Sequence, residues 1–212
     1  MNGFEKQELE TQGMMSKLFG SKPGHNALVE INNFLAESTA ATELTEEIVS
    51  NFIKNWGAKF DSSNIEYRSS MYRKVADHVY ISAVSKDDPV FEETRHLAQV
   101  LELPEKLQRL ADNGAKKVAY FSRCRKIISG EEPLTISEIN NVFGYDYEDG
   151  YDIRVQVFHD YLNKKFDEIA EQQRFSPDEE TALREICTKL DIPYEFKPNI
   201  QNALDKYRYL WS

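Results

Sequence analysis

Apolar residues in this chain recur every three to four positions between helix-start signals, and no sustained period-two alternation interrupts them. That rhythm leaves little room for a sheet and points to helices packed on one another. Leu28, Ile31 and Leu35 share one helical face. Thr45-Glu46-Glu47 opens a helix bearing Ile48 and Phe52, and Gly57 sits where a left-handed C-cap belongs. Ser63 to Glu66 has the capping-box pattern, in which a hydroxyl takes the N3 amide while the glutamate reaches back. A long helix is expected to follow through Met71, Val75, Val79 and Ala83. Pro89 restarts the chain, with Val90, Thr94, Leu97 and Leu101 on the buried face, and Leu103-Pro104 ends that helix.

The spacing next predicts a short helix from Glu105 to Asn113-Gly114. A separate basic helix with Lys116, Lys117, Arg123, Arg125 and Lys126 is expected after it, closed by Gly130. Thr135 to Glu138 is a second capping box, and Gly144 to Gly150 is an acidic, tyrosine-rich loop. A long helix carries Val155, Phe158, Leu162, Phe166 and Ile169. Ser176 to Glu179 is a third box, and Leu183, Ile186, Cys187 and Leu190 face inward behind it. The expectation is an all-α protein: two antiparallel helix–acidic turn–helix units packed as a helical bundle, unit A over 25–130 and unit B over 131–212, able to share one core. Residues 1–24 form a partly ordered N-terminal arm, either docking on a partner or second copy, or lying on its own domain.

The units echo one another. A long helix, a turn with Pro89, Glu92-Glu93-Thr94 and Leu101-Glu-Leu-Pro104 are matched by a long helix, Pro177, Glu179-Glu180-Thr181 and Leu190-Asp-Ile-Pro193. Duplication and ordinary helix punctuation both account for this. The run Phe166-Asp-Glu-Ile-Ala170, Phe175-Ser-Pro-Asp-Glu-Glu180, Leu183-Arg-Glu-Ile186 and Leu190-Asp-Ile-Pro193 resembles a TerB-like helical domain of the tellurite-resistance type, over about 151–193 and more weakly over 63–104. The resemblance implies an all-helical fold, metal or stress-response associations, and a role as a module in larger bacterial proteins. It transfers no catalytic residue.

A net charge of −10 over 212 residues repels phosphate backbones, so nucleic acid is an unlikely partner. Cys124 and Cys187 read as free thiols in a reducing compartment. No run has the roughly 18 apolar residues of a membrane helix, so no membrane insertion is expected. Glu5, Glu8 and Glu10 replace the apolar stretch of a secretory signal, and the expected location is cytoplasmic.

Candidate sites are few. Asp146, Glu148, Asp149 and Asp152 around Gly150 are the candidate divalent-metal ligands, although neither register of an EF-hand loop fits them. Helix-start electrostatics is the simpler account of these acids, as it is for Asp87, Asp88, Glu92 and Glu93 and for Asp178 to Glu180. None of the four histidines makes a paired metal motif, and there is no nucleophile elbow or phosphate-cradling loop. Arg123 and Arg125 flank Cys124 but leave a helix in other directions, so an activated thiol is not expected. Tyr145, Tyr147 and Tyr151 in the loop and Tyr207, Tyr209 and Trp211 at the end of the chain are candidate partner-binding residues, since tyrosine and tryptophan suit interfaces. The closing Trp211-Ser212 carries no stop signal, which fits a piece of a longer protein.

These observations lead to the expectation of a non-catalytic intracellular helical interaction module. It would need no cofactor and would bind a protein partner or neighbouring domain, with a homo-oligomer through the N-terminal arm as a further option. One rival is a sensor domain ordered by a divalent cation. The other is an acidic mimic that occupies a nucleic-acid-binding protein.

Overall fold

The computed structural model describes residues 3–10, 23–196 and 198–209, the side chains of 23, 199 and 209 excepted. Within them the protein is all-helical, with no strand. The elements are α1 (Pro23–Glu37), a 3-10 turn (Ala41–Glu43), α2 (Glu46–Trp56), α3 (Ile65–Ser82), α4 (Phe91–Val100), α5 (Glu105–Ser129), α6 (Ile136–Phe143), α7 (Tyr151–Gln172), α8 (Pro177–Lys189) and α9 (Pro198–Tyr209). The chain divides into two compact units, Met1–Ala83 with Asp87–Val118, and Val84–Lys86 with Ala119–Ser212. The division passes through α5.

In the first unit α1 packs on α2 and α3, α3 packs on α4, and α4 also meets the 3-10 turn. The apolar positions spaced for one helical face are the buried ones: Leu28, Ile31, Leu35, Met71, Val75, Val79, Leu97 and Leu101. Thr45 caps α2 by accepting the Ile48 amide, and Gly57 ends it in the left-handed region at φ 59°. Arg68 is buried on α3. Its guanidinium donates to the carbonyl oxygens of Leu101 and Asp61, at 2.7 and 2.9 Å, and lies over the Phe60 ring. It thereby satisfies the Leu101 carbonyl, which the end of α4 leaves open, and ties it to the loop before α3.

The second unit packs α7 on α8. Its core gathers Ile139, Phe143, Val157, Phe158, Leu162, Ile169, Leu183, Ile186, Leu190 and Leu204. Two of the expected capping boxes form in full. Thr135 accepts the Glu138 amide while Glu138 accepts the Thr135 amide, and Ser176 and Glu179 do the same. Helices α4 and α8 also end alike, each with a leucine C-cap followed by an acid in the left-handed region, Glu102 at φ 47° and Asp191 at φ 52°.

Two sequence expectations are corrected. The Ser63–Glu66 capping box does not form: α3 starts after Asn64, which makes no side-chain cap bond. Ser63 is taken up by Asp61, through both its amide and its hydroxyl, and Asn64 bonds to the Lys59 carbonyl and the Asp61 amide. The loop's own Asx-type turn outcompetes the cap. The second correction is that α5 is one continuous helix over Glu105–Ser129, where two helices broken at Asn113-Gly114 were expected. Gly114 is there for packing. A Cβ at this position would lie 2.0 Å from Arg73 Nη1 and 2.8 Å from its Cζ, so the missing side chain makes room for a guanidinium from α3.

Candidate functional site

The acidic, tyrosine-rich loop between α6 and α7 is a folding device. The Asp146 carboxylate accepts the amides of Glu148 and Asp149 at 2.8 and 3.0 Å, and Asp149 accepts the Asp146 amide at 2.9 Å. These acids spend their oxygens on their own backbone, and Asp152 lies in the first turn of α7, where a negative charge favours the helix dipole. The structure does not assemble Asp146, Glu148, Asp149 and Asp152 into a ligand set. Among the described residues no group of three or more His, Cys, Asp or Glu side chains is placed to hold a metal ion.

The tyrosines of this loop surround a buried cation. Arg154 is 0 % exposed. It donates to the Tyr147 carbonyl at 2.9 Å and the Tyr120 hydroxyl at 3.2 Å. Its guanidinium lies 4.6 Å from the Tyr147 ring centre and 5.8 Å from that of Tyr151. Gly150 lets the Tyr120 ring pass against the backbone: a Cβ there would sit 2.5 Å from the ring. Tyr120 also packs against Phe143 and Tyr145 and donates to Asn140. Of the candidate partner-binding residues, Tyr145 and Tyr151 are therefore partly covered, and Tyr147 stays exposed. Tyr207 is half-buried against Phe166. Tyr209 ends α9, its side chain lies outside the described set, and Trp211 lies outside the described residues altogether.

Within the basic stretch of α5 Arg123 is turned inward, whereas Lys117 and Arg125 stay exposed. Arg123 makes a buried two-bond ion pair with Glu132, at 3.0 and 2.8 Å, and Arg125 lies over Phe121. Both cysteines are buried and free. Burial pushes the Cys124 thiol up to about 12 and the Cys187 thiol up to about 11, which leaves neither as a nucleophile near neutral pH. His96 bonds to the Leu44 carbonyl, a structural role.

The site that the sequence reasoning missed is a groove along α1, occupied by residues 3–10 of the chain itself. Asn33 accepts the Gln7 amide and donates to the Gln7 carbonyl, both at 2.8 Å. Asn26 does the same with Glu10, at 2.9 and 3.0 Å. Asn32 donates to the Glu5 carbonyl at 2.8 Å. An asparagine side chain carries the same donor–acceptor pair as a peptide group, so it can pair with a main chain as a neighbouring strand would.

The spacings match. Asn26 and Asn33 are two helical turns apart, about 10.5 Å along α1, and three residues of extended chain from Gln7 to Glu10 cover about 10 Å. The pairing order, Gln7 with Asn33 and Glu10 with Asn26, runs the segment antiparallel to the helix. Two side chains anchor it. Phe4 is 8 % exposed with the Lys74 ammonium over its ring, and Gln7 Oε1 accepts the Tyr67 hydroxyl at 2.6 Å. The remaining side chains of 5–10 are exposed, with Lys6 paired to Glu37 and Glu10 near His25. An open cavity of about 580 Å³ lies beside this groove and shares His25 and Tyr67 with it, and Lys59, Asp61 and Glu66 are among its polar lining.

The three asparagines on one helix were a signal that could have been read. Asparagine is a poor helix former, and Asn26 and Asn33 share a face at a separation of seven. The residue that each would pair with was not readable, because the pairs lie 16, 26 and 27 positions apart in the sequence.

No family model, no curated protein and no solved structure matches this chain.

Proposed function

We propose that the protein is a non-catalytic helical interaction module that captures an extended stretch of polypeptide along α1. One observation carries this reading. Three asparagines of α1 bond the main chain of residues 5, 7 and 10, two of them through both the N–H and the C=O of a single residue. Main-chain recognition of this kind gives affinity for any extended segment, and side-chain pockets add selectivity. The resemblance to TerB-like domains suggests a compatible role, that of a module working within larger assemblies.

The test uses the full chain carrying Phe4→Ala and Gln7→Ala. Burying a phenylalanine stabilises by about 1.5–3 kcal/mol, so the double variant loosens its own segment and frees the groove. A labelled peptide of sequence GFEKQELE should then bind saturably, as read by fluorescence anisotropy. Adding Asn26→Ala and Asn33→Ala should weaken binding at least tenfold while the thermal transition stays cooperative. No saturable binding to a cooperatively folded double variant would overturn the proposal.

A further inference from the structure

The groove does not hold every position of its occupant equally, and the differences define a ligand class. Side chains 5–10 are exposed, and Lys6 and Glu10 make solvent-exposed ion pairs with Glu37 and His25 that add little selectivity, so the groove reads Phe4 by burial and Gln7 by the Tyr67 hydroxyl. The amides of residues 7 and 10 are both donated to asparagine oxygens, so neither position tolerates proline. A second observation concerns Asn32, which is 1 % exposed. Its Nδ2 serves the Glu5 carbonyl, but its Oδ1 is buried with no hydrogen-bond partner.

We infer that this groove selects a partner-protein segment of the form Phe-x-x-Gln, with no proline at the glutamine or three residues after it, and that residues 3–10 act as a built-in competitor for it. The inference rests on the reading of the protein as a peptide-capturing module. Phe4 and Tyr67 act at two separate places: the apolar subsite is closed by Lys74, and the carboxamide subsite is the Tyr67 hydroxyl. The competitor is tethered. Twelve residues, 11–22, separate Glu10 from α1, so the competitor belongs to the same chain and is held at a high local concentration. A partner segment therefore binds the intact chain only when it exceeds that local concentration or fits better, so weak extended peptides are excluded.

Four labelled peptides decide the matter on the full chain, both wild type and carrying Phe4→Ala with Gln7→Ala. They are GFEKQELE, its phenylalanine-to-alanine form, its glutamine-to-alanine form, and a form N-methylated at the glutamine nitrogen. The double variant should bind the parent peptide at least tenfold tighter than the wild-type chain does. The phenylalanine and N-methyl changes should each weaken binding tenfold or more, and the glutamine change several-fold. On a chain that also carries Tyr67→Phe, the parent and glutamine-to-alanine peptides should bind alike, while the phenylalanine preference persists.

If the parent, phenylalanine-to-alanine and glutamine-to-alanine peptides bind alike while the N-methylated form does not, capture is real but unselective and this inference falls alone; if the N-methylated form also binds like the parent, main-chain capture falls with it. If none binds a folded double variant, the capture reading falls with it. If the wild-type chain sediments as a dimer that dissociates on Phe4→Ala, the occupant is the segment of a second copy, which overturns the assignment to a partner protein.

Discussion

Arg68 and Arg154 stand at the same place in two different helices, four residues after the N-cap, and each donates Nη2 to the carbonyl three residues before that cap, at 2.9 Å in both cases. Each guanidinium also lies over an aromatic ring from the preceding loop, Phe60 at 4.5 Å and Tyr147 at 4.6 Å. The repeat visible in the prolines and Glu-Glu-Thr triplets thus extends to side-chain geometry. The structural echo is carried by residues that the sequence comparison did not align.

Lysine cannot replace either arginine. It has no planar fork, so it cannot hold the arginine's separate hydrogen-bond acceptors and the ring contact together. Arg68→Lys and Arg154→Lys should each destabilise by about 1.5–3 kcal/mol, the range for hydrogen bonds to charged groups, in urea denaturation followed by far-UV circular dichroism. A loss below about 0.5 kcal/mol in either variant would fall to the level of ordinary surface substitutions and contradict this role.

Gly114 and Gly150, each with a side chain packed against its backbone, should respond differently to alanine. At Gly114 the obstructing atoms are the end of the Arg73 side chain, which can swing away, and alanine gains about 1 kcal/mol of helix propensity. At Gly150 the obstruction is the Tyr120 ring, 0 % exposed and tied to Asn140 and Arg154. Gly114→Ala should leave the melting temperature within a few degrees, whereas Gly150→Ala should cost about 1–3 kcal/mol by overpacking. The reverse order would mean the ring, and not the guanidinium, is the movable neighbour.

Much of the fold was legible because its signals are local. The Thr135 and Ser176 boxes, the Gly57 cap and the buried faces of α3, α7 and α8 depend on residues within a turn or two of each other. What failed depended on distant partners. Gly114 looks like a helix break until Arg73 is brought against it, and Ser63 looks like a cap until Asp61 claims it. The packing of Arg154 against Tyr147 and Tyr151 was likewise not foreseen, although Tyr147 keeps the exposure expected of a partner-binding residue. The groove was missed for the same reason, since Asn33 and Gln7 are 26 positions apart.

The capping box at α6 predicts a pH dependence. The Thr135 amide, followed by the Thr135 hydroxyl, holds the Glu138 carboxyl below the usual carboxylate range. A carboxylate with a depressed folded pKa adds stability above its unfolded value, near 4.5, and loses it as pH falls through the folded value. In Thr135→Ala the Glu138 resonance should titrate closer to the ordinary range, and the stability gap to wild type should shrink as the pH drops below 4.5. An unchanged Glu138 titration in the variant would show that the hydroxyl contributes nothing.

The thiols should be silent in the folded protein. With Cys124 near 12 and Cys187 near 11, both buried, a disulfide reagent at pH 8 should label neither cysteine natively and both after unfolding. Rapid native labelling of Cys124 would contradict the packing around Tyr120 and Arg154.

The central claim is that α1 grips the main chain of residues 5–10, and amide hydrogen exchange at Gln7 and Glu10 in the full wild-type chain tests it most directly. Both amides end on asparagine oxygens, so both should exchange well below the unpaired rate. Asn33→Ala should release Gln7 first, and millimolar GFEKQELE peptide should lower the protection of both. Exchange of Gln7 and Glu10 at the rate of an unstructured peptide, in a chain whose helices stay protected, would contradict the account.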